Sequence, residues 1–87
     1  MHERSLIRDL IRKIDVVAQA QGARRVTGVA IKLGALSHIS PEHLREHFMH
    51  GMSGTIADGA RLDIEMMTET ADPYAQEIIL DSIDVED

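Results

Sequence analysis

The spacing of apolar residues changes near Gly22, and that change decides what the chain can fold into. Over residues 4–21, Leu6, Ile7, Leu10, Ile11, Ile14, Val17 and Ala18 recur at intervals of three and four. That spacing lays one broad apolar stripe along an α-helix. Ser5 or Glu3 is placed to cap its start and Gly22 to end it. Over residues 25–34 the period drops to two. Thr27, Val29, Ile31 and Leu33 fall on one face of a strand, and Val26, Gly28, Ala30 and Lys32 on the other. Arg4, Arg8, Arg12 and Lys13 lie off the helical stripe. A basic amphipathic helix also suits a membrane surface or a transit segment. Asp9 and Asp15 interrupt that charge and a strand follows at once, which favours a helix packed on a core.

The remaining elements follow the same two periods. Ser40-Pro41-Glu42 is a helix start: a side-chain N-cap, a proline at the first position and an acid in the first turn. The helix it opens runs to about His50 or Gly51, with Leu44 and Phe48 as anchors and Ile39 placed to staple its entry. Gly51, Gly54 and Gly59 mark a loop. Residues 60–69 form a second strand, with Leu62, Ile64 and Met66 on one face. Ala71-Asp72-Pro73-Tyr74 reads as a turn, short enough to suggest a hairpin. Residues 77–86 form the last strand. Its apolar phase slips between Leu80 and Ile83, so a bulge near Asp81-Ser82 is expected. Asp84 to Asp87 reads as an acidic, solvated tail. The order helix, strand, helix, strand, strand implies an α+β fold, two helices on one face of a three-stranded mixed sheet, with a parallel pair across the strand–helix–strand step. The bare face and edges of so small a sheet invite self-association.

Composition narrows the function. Eighty-seven residues make one domain, with a core that one Phe, one Tyr and no Trp leave almost wholly aliphatic. A formal charge of -6 argues against nucleic acid, which needs clustered Lys and Arg. No apolar run approaches the ~18–20 residues of a membrane helix. No signal-peptide core is visible, so the cytoplasm is expected. With no cysteine, disulfides and thiolate metal sites are excluded. An enzyme is not indicated. There is no phosphate-binding glycine loop and no Cys nucleophile, and Ser37, His38 and Ser40 share one loop without forming a recognisable triad.

Two histidine arrangements carry metal chemistry. In Met1-His2-Glu3 the terminal amine, the His2 amide nitrogen and a His2 ring nitrogen can close fused chelate rings on one ion, with the Glu3 amide or an outside group as fourth donor. Nickel(II) and copper(II) suit such nitrogen ligands in square-planar geometry. The amine must be free and deprotonated, and its reference pKa is about 7.7–8.0. The alternative is an ordinary frayed terminus. In the second helix, His43, His47 and His50 fall on one side at offsets of four and three, with Glu46 nearby. They are candidates for zinc, nickel or copper, or form a solvated, titrating face.

Several stretches together resemble one family. Met1-His2-Glu3, Gly22-Ala-Arg-Arg-Val-Thr-Gly-Val29 with Gly34-Ala-Leu-Ser37, Pro41-Glu-His-Leu44 with Phe48, Gly54-Thr-Ile-Ala-Asp-Gly59 leading into Leu62-Asp-Ile-Glu65, and the terminal Ile83-Asp-Val-Glu86 look like the HypA/HybF family. These are nickel metallochaperones for maturation of nickel–iron hydrogenase and, in some bacteria, urease. The resemblance implies a Ni(II) site with His2 as side-chain ligand beside backbone nitrogens of Met1 to Glu3. It also implies two partners, a nickel-handling GTPase and the hydrogenase large subunit. The family carries a second, zinc-binding domain with two C-x-x-C pairs between its last two strands. Here Thr68 to Gln76, a turn at about residues 69–76, stands in that place, and no zinc is expected. A shortened nickel chaperone is the first expectation. A paralogue that kept the fold as a protein-interaction or regulatory module is the alternative, and a homo-oligomer formed by swapping the last strand is a third.

Overall fold

The computed structural model describes residues 3–86, with side chains from residue 6 onward. The elements are α1 (Glu3–Ala20), β1 (Arg25–Leu33), α2 (Pro41–Met52), β2 (Arg61–Met66) and β3 (Ile78–Glu86). The fold is the α+β arrangement expected, two helices and a three-stranded mixed sheet.

The helical stripe is the buried face of α1: Ile7, Leu10, Ile14 and Ala18 are buried and Ile11 is partly so. Gly22 ends α1 in the left-handed conformation, at φ 67°. Its N–H donates to the Gln19 carbonyl and the next N–H, of Ala23, to the Ala18 carbonyl, both at 3.0 Å. This is the paired closure that glycine permits at a helix C-terminus. α2 opens as its sequence specifies. Ser40 is extended, and its Oγ accepts from the His43 N–H at 3.1 Å. Leu44, Phe48 and Met52 are then buried at intervals of four.

β1 lies at the centre of the sheet, in the order β2-β1-β3. β2 pairs with it in parallel, from Gly28 opposite Arg61 to Leu33 opposite Met66. β3 pairs with it antiparallel, from Arg25 opposite Glu86 to Leu33 opposite Ile78. The expected hairpin between the last two strands is therefore wrong. The connection from Met67 to Glu77 is too long for a tight turn. It crosses the end of β1, where Met67 N–H donates to the Leu33 carbonyl at 2.8 Å and Gly34 N–H to the Glu77 carbonyl at 2.9 Å. A hairpin would have left one edge of β1, the strand with the most buried side chains, without a partner for its backbone. The turn at Pro73 does form, closed by Ala75 N–H on the Asp72 carbonyl at 3.0 Å.

Two bulges set the register of β3. One leaves Asp81 unmatched between the pairs Ala30–Ser82 and Ile31–Leu80, where the slip in phase places it. The other leaves Thr27 unmatched on β1, between Val26–Val85 and Gly28–Asp84. It reverses the expected facing at the start of β1, so Val26 is buried and Thr27 exposed. The acidic end is not a free tail up to Glu86. Its side chains at Asp84 and Glu86 are exposed, but its backbone continues the ladder.

Both helices run opposite to β1 and so parallel to each other. Ile7 and Ile11 of α1 share a cleft with His47, His50 and Gly51, and Ile14 and Asp15 share another with Met52 and Thr55. One pole of the molecule thus gathers the starts of α1 and α2 and the two connections beyond β1. The other holds Gly22 and the turn at residues 53–60, tied to β1 by Val26 N–H on the Ile56 carbonyl at 3.0 Å.

Candidate metal centre

Both candidate stretches adjoin helices that begin at the first of these poles, α1 at Glu3 and α2 at Pro41. Met1 and His2 lie outside the described residues; Glu3 opens α1, and its side chain is likewise outside them. The tripeptide therefore enters the geometry through one fact, that the helix it leads into begins at Glu3, one turn before the buried Ile7.

The second arrangement is described in full. The N-cap at Ser40 fixes where α2 starts and the buried Leu44, Phe48 and Met52 fix its rotation, so the intervening residues are turned outward. His43 and His47, one turn apart on that outer side, stack their rings with centroids 4.5 Å apart and planes 12° from parallel. His43 is exposed and His47 half-buried. His50 is exposed and lines the cleft against α1 together with His47, Glu46 and Arg8. Among the described residues no group of three or more His, Cys, Asp or Glu side chains is arranged to hold a metal ion. The helix thus brings His43 and His47 together but does not converge His50 and Glu46 on them.

The loop that delivers α2 holds His38 in the left-handed conformation, at φ 62°, uncommon for a residue with a Cβ although His tolerates it better than most. Ser40 Oγ is committed to the helix cap, so the Ser37, His38 and Ser40 loop is a structural entry to α2.

One arrangement escaped the sequence reading. On the open face of the sheet, Arg61 lies across β1, with Nε donating to Asp63 Oδ2 at 2.9 Å and Nη2 to Asp84 Oδ2 at 2.7 Å. These bonds to Asp63 and then Asp84 hold the guanidinium pKa above its ordinary value. Gly28 makes room: a Cβ there would lie 2.7 Å from Arg61 Nη2. The small residues on that face of β1 were the signal. All three charged groups are exposed, so the strap adds little stability.

Comparison with known proteins gives these positions a context. A family model described as hydrogenase/urease nickel incorporation, metallochaperone, HypA, matches residues 1–72. The chain is similar to the hydrogenase maturation factor HypA of Chlorobium limicola, at 39% identity over 71 residues, 82% of this chain and 61% of that protein. It is similar to the factor of the same name from Methylocella silvestris at 43% identity over 67 residues, 77% of this chain and 59% of that one. The chain thus spans about 60% of the length of these relatives. In three dimensions it resembles the solution structure of the Ni metallochaperone HypA from Helicobacter pylori, with a TM-score of 0.82 over 98% of this chain and 97% of that one. At 17% identity that likeness is one of fold. It includes β3, which lies beyond the end of the family match.

Proposed function

The chain belongs to the HypA family of hydrogenase/urease nickel-incorporation metallochaperones, and from that premise we propose that it carries nickel(II) on Met1-His2-Glu3 for maturation of a nickel enzyme. The observation that supports this most is that the family match begins at residue 1 and so includes the tripeptide. The chemistry agrees. An amine, a backbone amide and an imidazole supply nitrogen donors in the geometry nickel(II) accepts. α1 begins at Glu3, so the claw leads directly into a helix anchored by Ile7 and Leu10. The positive end of the helix dipole opposes a cation there, but at about 0.3–1 kcal/mol it is small beside the binding free energy of a multi-donor site, on the order of 10 kcal/mol.

The ion is cargo. It leaves by ligand exchange when a target offers better donors, and acid releases it because amine and imidazole must be deprotonated to bind. The partners proposed are the nickel-handling GTPase of hydrogenase maturation and the hydrogenase large subunit, met in the cytoplasm. A cysteine-bound zinc has no ligands in this chain. In untagged protein, His2→Ala abolishes tight nickel binding and leaves the far-ultraviolet circular dichroism unchanged. Isothermal calorimetry giving equal affinity for the two proteins would remove the tripeptide from the mechanism. The docking module would then remain, tested by whether the chain still captures the GTPase.

A further inference from the structure

The cleft between the middle of α1 and the turn after α2 is amphipathic, with an apolar floor and a cationic rim. We propose that it docks an acidic segment of a partner protein, one that lays an apolar side chain on the floor and sets carboxylates against Arg8 and Arg12. The proposal stands whether or not Met1-His2-Glu3 binds metal.

Three observations support it. The first is the lining. Ile11 and Ile56 lie partly exposed on the floor, backed by Ile14 and Met52, each 1% exposed. Arg8 and Arg12, one turn apart on α1, are exposed at the rim. The second is the state of those cations. Arg25 Nη2 donates to the Asp58 carbonyl at 3.3 Å and Arg45 Nη1 to the Leu62 carbonyl at 2.8 Å. Lys32 faces Asp81, and Arg61 is held by Asp63 and Asp84. Arg8, Arg12, Lys13 and Arg24 have no hydrogen bond or ion pair among the described residues, and of these four only Arg8 and Arg12 line the cleft. The third is sign. Asp15 is the carboxylate in the cleft, and Gln19 Nε2 donates to it at 3.0 Å. Two arginines against one carboxylate leave this surface positive in a chain whose formal charge is -6.

The same features select the occupant. The cleft holds ≈ 330 Å³, room for a few side chains and not for a folded domain. Guanidinium groups match the planar geometry of carboxylates, so acidic side chains suit the rim. An exposed ion pair alone contributes little. The apolar anchor therefore supplies most of the affinity, and the arginines supply orientation and the rate of encounter. A lipid surface fits less well. The apolar stripe of α1 is already buried in the core, so the helix has no second apolar face to lay into a bilayer.

The test is selection from a random library of short linear peptides, displayed on phage, against the full-length protein. Enriched peptides should carry Asp or Glu beside Leu, Ile, Met or Phe. A synthetic copy of one should shift the backbone amide resonances of residues 8–15 and 52–57 in isotope-labelled protein. Arg8→Glu with Arg12→Glu should weaken its binding at least about tenfold, because attraction becomes like-charge repulsion. Arg8→Gln with Arg12→Gln should weaken it less and in the same direction. Arg24→Glu, the same change of charge away from the cleft, should leave it unchanged. Vesicles containing phosphatidylglycerol should not carry the protein down on sedimentation. No enrichment, enriched peptides without acidic residues, shifts confined to other segments, equal binding by the charge-reversed protein, or equal loss with Arg24→Glu would each overturn the proposal. Vesicle binding that the same reversal abolishes would assign the arginines to a lipid surface and overturn it as well.

Discussion

Gly34 shows how closely single positions control this fold. It needs no unusual φ; what it lacks is room. A Cβ there would fall on the Ala75 carbonyl and lie 2.8 Å from the Glu77 carbonyl oxygen, backbone atoms that cannot rotate aside. Gly34→Ala should therefore push the β2–β3 connection off the end of β1. The expected loss is about 1–3 kcal/mol, the usual range for overpacking, read as a lower urea midpoint. An unchanged midpoint would mean that the connection yields freely. The sequence marked Gly34 only as the start of a loop, because its constraint comes from residues some forty positions away. Phe48 and Leu44, by contrast, were legible as anchors, since helical spacing alone turns both inward.

At the level of elements, local signals were reliable and pairing signals were not. The period of α1, the cap of α2 and the glycine stop at residue 22 all act within a few residues, and each appears as read. The bulge at Asp81 was visible as a slip in apolar phase. The bulge at Thr27 was not, because either face of β1 near Val26 offers apolar or small side chains. The expected hairpin does not form for a related reason: turn residues at Pro73 show that the chain bends, not which strand it then joins. The site divides in the same way. Spacing put three histidines on one side of α2, but only the fold shows that two of them meet and the third faces α1. The cap sets where that helix begins. Ser40→Ala should cost about 1 kcal/mol of global stability, measured by urea denaturation, with Ser40→Asp restoring most of it. Equal stability of the alanine and wild-type proteins would mean that Pro41 and the Ile39 entry suffice.

Across the whole molecule, cohesion is greatest in the middle of the sheet. β1 is hydrogen-bonded on both edges and contributes Val26, Val29, Ile31 and Leu33 to the core, none more than 1% exposed. Local openings draw on regions with few buried contacts. In native-state hydrogen exchange the slowest amides should be those of β1, and those of residues 67–77 should exchange by a lower-energy opening. Uniform exchange across both segments would show that the molecule opens only as a unit. The open face of the sheet is dressed in charge, with Arg61 and Asp84 opposite Gly28, Asp63 opposite Ala30, Glu65 opposite Lys32, and Lys32 3.9 Å from Asp81. Self-association through that face would have to desolvate these groups.

The parallel run of α1 and α2 also makes the protein easy to instrument. Its long dimension is 38 Å, and the turn after α2 stands at the pole away from the starts of α1 and α2. Because the sequence contains no thiol, a single Ser53→Cys there would be its sole attachment point for a dye or a surface. A molecule tethered by that corner would present the pole where both helices begin, unobstructed, to whatever approaches from solution.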